Sequence, residues 1–291
     1  MQFAMRFGAK LDNYGPHVAT LGVAEPARRA ERAGFDSIWC SDHVVMPQTV
    51  RSAYPFSVDG SIKWDPHEPW YDAVVWCAAI AVVTERVEFG TAVMLAGLRN
   101  PLVLAKQLAS IDALAGGRVI AGFGAGWMSE EFEALGVPFD SRGRRLDEWI
   151  DICRQVWTGR VAGFDGEHFA VDVDVVTEPR PARRLPILIG GMSDAALRRI
   201  AERGDGWVPL IRGDTDPVAT IDRGVQRLHE LAADAGREGS GFRVVYNAAD
   251  PAHAGARLAA LARAGVTDVM VDVDYLDPDG PARALAAVRG T

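Results

Sequence analysis

The sequence predicts an α/β protein, a (β/α)8 barrel in one domain spanning 1–291, with a small insertion hairpin before strand five. Three observations lead there. An amphipathic stretch ending in Gly and followed by a short apolar run recurs as ERAGFDSIW (31–39), LAGGRVIAGF (114–123), ERGDGWVPLI (202–211) and RAGVTDVMVDV (263–273). Glycine past a last helical turn supplies a left-handed residue, and the β-branched run after it suits a buried parallel strand. All such runs together give eight strands, near 2–9, 36–42, 87–94, 118–124, 186–190, 206–211, 242–247 and 268–274. Strict alternation permits a closed barrel or an open doubly wound sheet, and eight units favour the barrel.

The elements between the strands follow in order. Residues 43–69 connect strand two to the next helix by a loop far longer than usual, holding Tyr54, Phe56 and Trp64, with Trp70 and Tyr71 just beyond. On the C-terminal face of a barrel it is expected to form a lid or pocket wall. Asn100-Pro101 and Asp216-Pro217 read as N-cap and first-turn pairs. Leu146, Trp149, Ile150, Cys153, Val156 and Trp157 share one helical face. The stretch VAGFDGEHFAV within 159–181 reads as a hairpin about an Asp-Gly turn. Gly190-Gly191-Met192-Ser193 leads into a helix over 194–203 with Ser193 as its N-cap.

Composition narrows the partners. A net charge of −8 disfavours nucleic acid and anionic membrane, leaving a small molecule as the expected ligand. No run approaches 18 apolar residues and the first residues read as a strand, so a cytoplasmic protein is expected. Cys40, Cys77 and Cys153 fit neither a disulfide framework nor a zinc site, and read as small core residues. No His/Asp/Glu cluster has metal-ligand spacing, so no metal is expected.

Functional groups of such barrels project from the C-terminal strand ends. His43 alone of six histidines directly ends an apolar strand there, where an imidazole can relay protons near neutral pH. The glycine turns at 124–126 and 190–191 allow close backbone approach to an anionic group. Trp127 and Trp207 follow strand ends and are candidates for pocket walls. The arginines at 142, 144, 145, 180, 183 and 184 read as solvated faces, or as flanks of an anionic tail.

The segments SDHV (41–44), FGTAVML (89–95), RNPLVLAKQLASIDALAGGRV (99–119), GFGAGWMSEEFEALG (122–136), RGRRLDEWIDICRQVW (142–157), GEHF (166–169) and PILIGG (186–191) converge on a family. They resemble the luciferase-like monooxygenase superfamily, in particular its actinobacterial coenzyme F420-dependent oxidoreductases. The resemblance implies a TIM-type barrel, a homodimer, and a deazaflavin or flavin ring at the barrel mouth. It implies His43 as the catalytic residue and a cis peptide at Ala92-Val93 behind the ring. It further implies a cofactor site drawn from Asp42, Ala92, Val93, Met94, Gly124, Gly126, Trp127, Glu130, Gly190, Gly191, Met192 and Gly206, with Trp64, Trp70 and Trp207 in the substrate pocket. Relatives that oxidise glucose 6-phosphate carry a glutamate at the position of Trp127, and their phosphate-binding lysines find no match here, so that substrate is not expected.

The implied activity is hydride transfer between C5 of F420 and a small organic substrate. The alternative is an FMN-dependent two-component monooxygenase using reduced flavin and O2, with a flavin or F420 reductase supplying reduced cofactor. A non-catalytic flavin-binding barrel is the third reading.

Overall fold

The computed structural model describes residues 5–55, 57–62, 64–211, 215–238 and 241–290. Phe56, the start of the first expected strand and residues 212–214 lie outside them. Eight parallel strands close into a barrel: β1 (Arg6–Lys10), β2 (Ser37–Cys40), β3 (Glu88–Thr91), β4 (Val119–Phe123), β9 (Ile187–Gly190), β10 (Gly206–Val208), β11 (Arg243–Ala248) and β12 (Asp268–Asp272), which pairs back onto β1. The four remaining strands, β5 (Arg160–Val161), β6 (Phe164–Asp165), β7 (Ala170–Val171) and β8 (Val175–Val176), form two antiparallel pairs, β5 with β8 and β6 with β7. All eight expected strands are present, and the expected bounds that fall among the described residues are met within a few residues.

Side chains alternate across each strand. One set, Trp39, Ile120, Leu188, Val208, Val245 and Met270, fills the barrel interior. The other, including Ile38, Phe89, Phe123, Ile189, Trp207 and Val271, belongs to the main core under the helices. Trp39 is fully buried and its indole donates to Ser37 Oγ at 2.8 Å, so the polar atom of the largest interior side chain is satisfied.

The helices begin where their caps predict. Asn100 accepts from the N–H groups of Leu102 and Val103, and Asp216 from that of Val218. The helix Arg142–Val156 buries the expected stripe. Gly34 ends its helix at φ 99°, as the recurring unit requires, but Gly204 sits at φ −89°. There glycine is needed for space, because a Cβ would fall 3.0 Å from Ile200 Cα and 3.2 Å from Ile189. The insertion hairpin is also looser than a two-residue Asp-Gly turn: Asp165 pairs with Ala170, so residues 166–169 form the connection. The Glu148 carboxylate stabilises it by accepting from the N–H groups of Glu167, His168 and Phe169.

At the N-terminal end of the strands Glu88 gathers Arg6, Arg183 and Arg243, and Arg243 also pairs with buried Asp268. Burial pushes the Glu88 carboxyl up, yet Arg243 and Arg6 outweigh it and hold it at about 2. Among the described residues no helix is long and apolar enough to cross a membrane.

Candidate active site

The opposite end of the barrel holds a cavity of about 560 Å³, within the range of small-molecule and cofactor sites. Its floor is built from β3 and its neighbours. The Ala92–Val93 peptide just past β3 is cis. Val93 lies against Gly124 and Gly190, where a Cβ would fall 2.5 Å from Val93 Cγ2 and 2.9 Å from Val93 Cγ1. A side chain at either position would therefore have to displace Val93, and the floor they form is apolar.

His43 stands at the side of this floor because of how the turn after β2 is braced. The Asp42 carboxylate is buried, accepting from Leu95 N–H at 2.8 Å and from Arg99 through both oxygens at 2.7 and 2.8 Å. Its oxygens thus hold the turn, although the residue borders the cavity. His43 Nδ1 lies 2.8 Å from Glu131 Oε2, while Oε1 accepts from the N–H groups of Val44 at 2.6 Å and Val45 at 3.3 Å. Around the imidazole stand Trp70, Trp64 and Trp127, at ring separations of 4.9, 5.9 and 6.1 Å. Tyr14 stacks on Trp70 at 4.0 Å, and Tyr54 packs edge-on against Trp64 and Trp127.

The long loop over 43–69 is a wall fastened at two places, by Glu131 at its start and by Glu130 further along. Glu130 accepts from the N–H groups of Arg51 and Ser52 and from the Ser52 hydroxyl. Burial opposes its charge, but these hydrogen bonds, with its own N–H, lower the carboxyl to about 2.

Two further regions border the cavity. At the β1 side, Lys10 pairs with Asp12 at 3.2 Å and Asp272 at 3.6 Å. Burial pulls the Lys10 ammonium down, yet both carboxylates outweigh it and raise it, while burial and Asp12 push Tyr14 up to about 12. Asn247 contributes a buried Oδ1 without a hydrogen-bond partner in the protein. At the β9 side, Gly191, Met192 and Ser193 precede the helix Asp194–Arg203, and Ser193 Oγ accepts from Ala196 N–H as its cap. Arg142 and Arg199 border the same end, Arg142 donating to the carbonyl of Gly126 and Arg199 pairing with Asp147. A helix N-terminus beside two guanidinium groups favours an anion. An apolar floor with such an end fits a planar ring carrying a phosphate tail, so the residues present suit a flavin-type cofactor.

Of the residues expected at this site, His43, Asp42, Ala92, Val93, Gly124, Gly126, Trp127, Gly190, Gly191, Met192, Trp64 and Trp70 border one cavity. Four do not. Met94 is buried in the main core, where its N–H donates to Gly122 O. Glu130 is bonded to the loop at Arg51 and Ser52 and does not border the cavity. Gly206 opens β10 at the far end of the barrel, against Leu188 and the Arg243 carbonyl. Trp207 points outward under the helix Pro217–Asp234, where a Cβ on Gly224 would fall 2.2 Å from its ring. Its indole still supports the site from behind by donating to Gly191 O at 2.7 Å. Sequence reasoning missed Glu131, Arg199, Lys10 and Asn247. For Asn247 and Lys10 a signal existed, since Asn247 ends the expected seventh strand and Lys10 directly follows the expected first.

Comparison with known proteins agrees with the fold. Residues 5–276 match the luciferase-like monooxygenase family. The uncharacterised protein Rv0940c of Mycobacterium tuberculosis is 39% identical over 211 residues, 72% of this chain and 71% of that protein. An F420-dependent glucose-6-phosphate dehydrogenase of Amycolatopsis mediterranei is 32% identical over 206 residues, 69% of this chain and 56% of the dehydrogenase. Among solved structures, an F420-dependent secondary alcohol dehydrogenase in complex with an F420–acetone adduct superposes with a TM-score of 0.75 at 18% identity, over 98% of this chain and 99% of that one. The monooxygenase RslO1 from Streptomyces bottropensis gives 0.71 at 20% identity over 97% of both chains. These two likenesses speak for the fold alone. The family match covers nearly the whole sequence, and the chain belongs to the luciferase-like monooxygenase family as one of its oxidoreductase or monooxygenase enzymes.

Proposed function

We propose that this enzyme is a coenzyme F420-dependent oxidoreductase acting on a small organic substrate, with His43 as its proton-transfer residue. The observation that carries the reading is the placing of His43 beside the apolar floor formed by Val93, Gly124 and Gly190. A deazaflavin bound there supplies or accepts hydride at C5, whereas reduced FMN would react with oxygen. The chain's own part is to hold a ring on the floor and an anionic tail at Gly191–Ser193, Arg142 and Arg199. Trp64, Trp70, Trp127 and Tyr54 exclude water from the reacting face, which strengthens every polar contact inside. His43 takes or returns the proton of a substrate hydroxyl when hydride moves.

The kinship to an F420-dependent glucose-6-phosphate dehydrogenase supports the choice of cofactor. The proposal includes a homodimer and a separate reductase supplying reduced cofactor. Titration of the purified protein with F420 and with FMN, side by side, tests the central claim. F420 is expected to bind at least about tenfold tighter, a difference of about 1.4 kcal/mol. Tighter FMN binding with oxygen uptake from FMNH2 would replace this reading by the monooxygenase one. Tight binding without turnover of any reduced cofactor would leave a non-catalytic barrel.

A further inference from the structure

We infer that Glu131 is a positioning residue that fixes the tautomer of His43, placing the hydrogen on Nδ1 and leaving Nε2 as the proton acceptor. The catalytic weight of this inference rests on the functional reading of His43 given above, but the tautomer itself does not.

The argument is one of hydrogen-bond capacity. The Glu131 side chain is fully buried, so its oxygens find their partners within the protein. Oε1 is committed as acceptor to the N–H groups of Val44 and Val45, donors that cannot change sign. With the carboxylate ionised, Oε2 has no hydrogen to give and accepts from the ring nitrogen at 2.8 Å, so that nitrogen carries hydrogen. In a neutral imidazole the other nitrogen must be the acceptor.

The same donors make the inference sharply testable. In Glu131→Gln the amide is nearly isosteric, and the N–H groups of Val44 and Val45 demand its carbonyl oxygen. Its NH2 then faces His43 Nδ1, which must accept, so the hydrogen moves to Nε2. A base with its lone pair turned toward Gln cannot take the substrate proton. In Ser-His-Asp hydrolases an equivalent carboxylate-to-amide change costs about 10⁴ in rate with the geometry intact.

The experiment is two-bond 1H–15N spectroscopy of the whole protein, without added cofactor, labelled with 15N-histidine. His43 is assigned by its loss in His43→Asn. The expected result is a pyrrole-type Nδ1 and pyridine-type Nε2 in the wild type, reversed in Glu131→Gln. Wild-type hydrogen on Nε2, or an unchanged tautomer in the variant, would overturn the inference. The wild-type spectrum decides alone if the variant does not fold. In parallel, Glu131→Gln should keep F420 affinity within about fivefold while F420-linked turnover falls about 10²–10⁴-fold. Turnover at the wild-type rate with the tautomer reversed would overturn the positioning role. A wild type that does not bind F420 would refute the functional reading and leave the tautomer result standing.

Discussion

Gly124→Ala separates the cavity floor from the fold that carries it. A Cβ at 124 falls 2.5 Å from Val93 Cγ2, about 1 Å inside carbon–carbon contact distance. Val93 is stiff about its first side-chain torsion and is hemmed on its other methyl by Gly190. It can yield only upward, into the cavity. In the unliganded protein that space is open, so the clash is relieved there and the thermal midpoint should move by less than about 3 °C. A bound ring closes the escape route and restores the conflict, which for an overpacked site is typically about 1–3 kcal/mol. F420 affinity should therefore fall about 5–150-fold. Gly97→Ala is the control, because its Cβ would meet nothing nearer than the Arg142 carbonyl at 4.0 Å. Fluorescence titration of both variants at a temperature well below their midpoints gives the comparison. F420 binding by Gly124→Ala within twofold of wild type would refute the assignment of Val93 and Gly124 as the floor.

His43→Ala should lower F420-linked kcat by about 10²–10⁴-fold and change cofactor Kd by less than about fivefold, read by single-turnover kinetics and titration on one preparation. A stable variant with the wild-type rate would remove His43 from the mechanism. Glu88 titrates at about 2 in the folded protein against an ordinary 4.5, so its stabilisation is complete above about pH 4.5 and is lost as pH falls toward 2. Glu88→Gln should accordingly cost on the order of 3 kcal/mol at pH 7 and progressively less below pH 4, measured by urea unfolding at several pH values; a pH-independent difference would contradict the ion network. Trp207→Phe should lower the thermal midpoint through lost packing and the lost bond to Gly191 O, with F420 Kd raised only a few-fold; a loss of affinity without a loss of stability would return Trp207 to the pocket.

Much of the fold was legible because parallel barrel strands buried on both faces must be short apolar runs, and each is bounded here by turn residues. Asn100 and Asp216 were legible as caps for a similarly local reason, a side-chain oxygen next to a proline that needs no N–H. Direction was harder to read than location. Trp207 lies within the sixth barrel strand and not after its end, where the two-residue period sends Val208 inward and Trp207 outward, and no neighbour in sequence reveals the parity. The same holds for Glu130 and Glu131, about 100° apart on one short helix. One reaches Ser52 and the other His43, and only the path of the 43–69 loop decides which. Arg199 faces the cavity end because two helices, 142–156 and 194–203, lie side by side there, a tertiary fact without a local signature.

The double fastening of the long loop bears on how this scaffold could be re-engineered. Residues 43–52 are not an independent module, since their backbone is tied to two adjacent carboxylates of a helix more than 75 residues away. Transplanting the loop into another barrel without Ser129–Ala134 would move a segment whose anchors stay behind. Diversifying positions 53–62 instead keeps both anchors and the imidazole in place. A library confined to that stretch would vary the shape of the cavity wall while leaving the His43–Glu131 geometry as a constant of the scaffold.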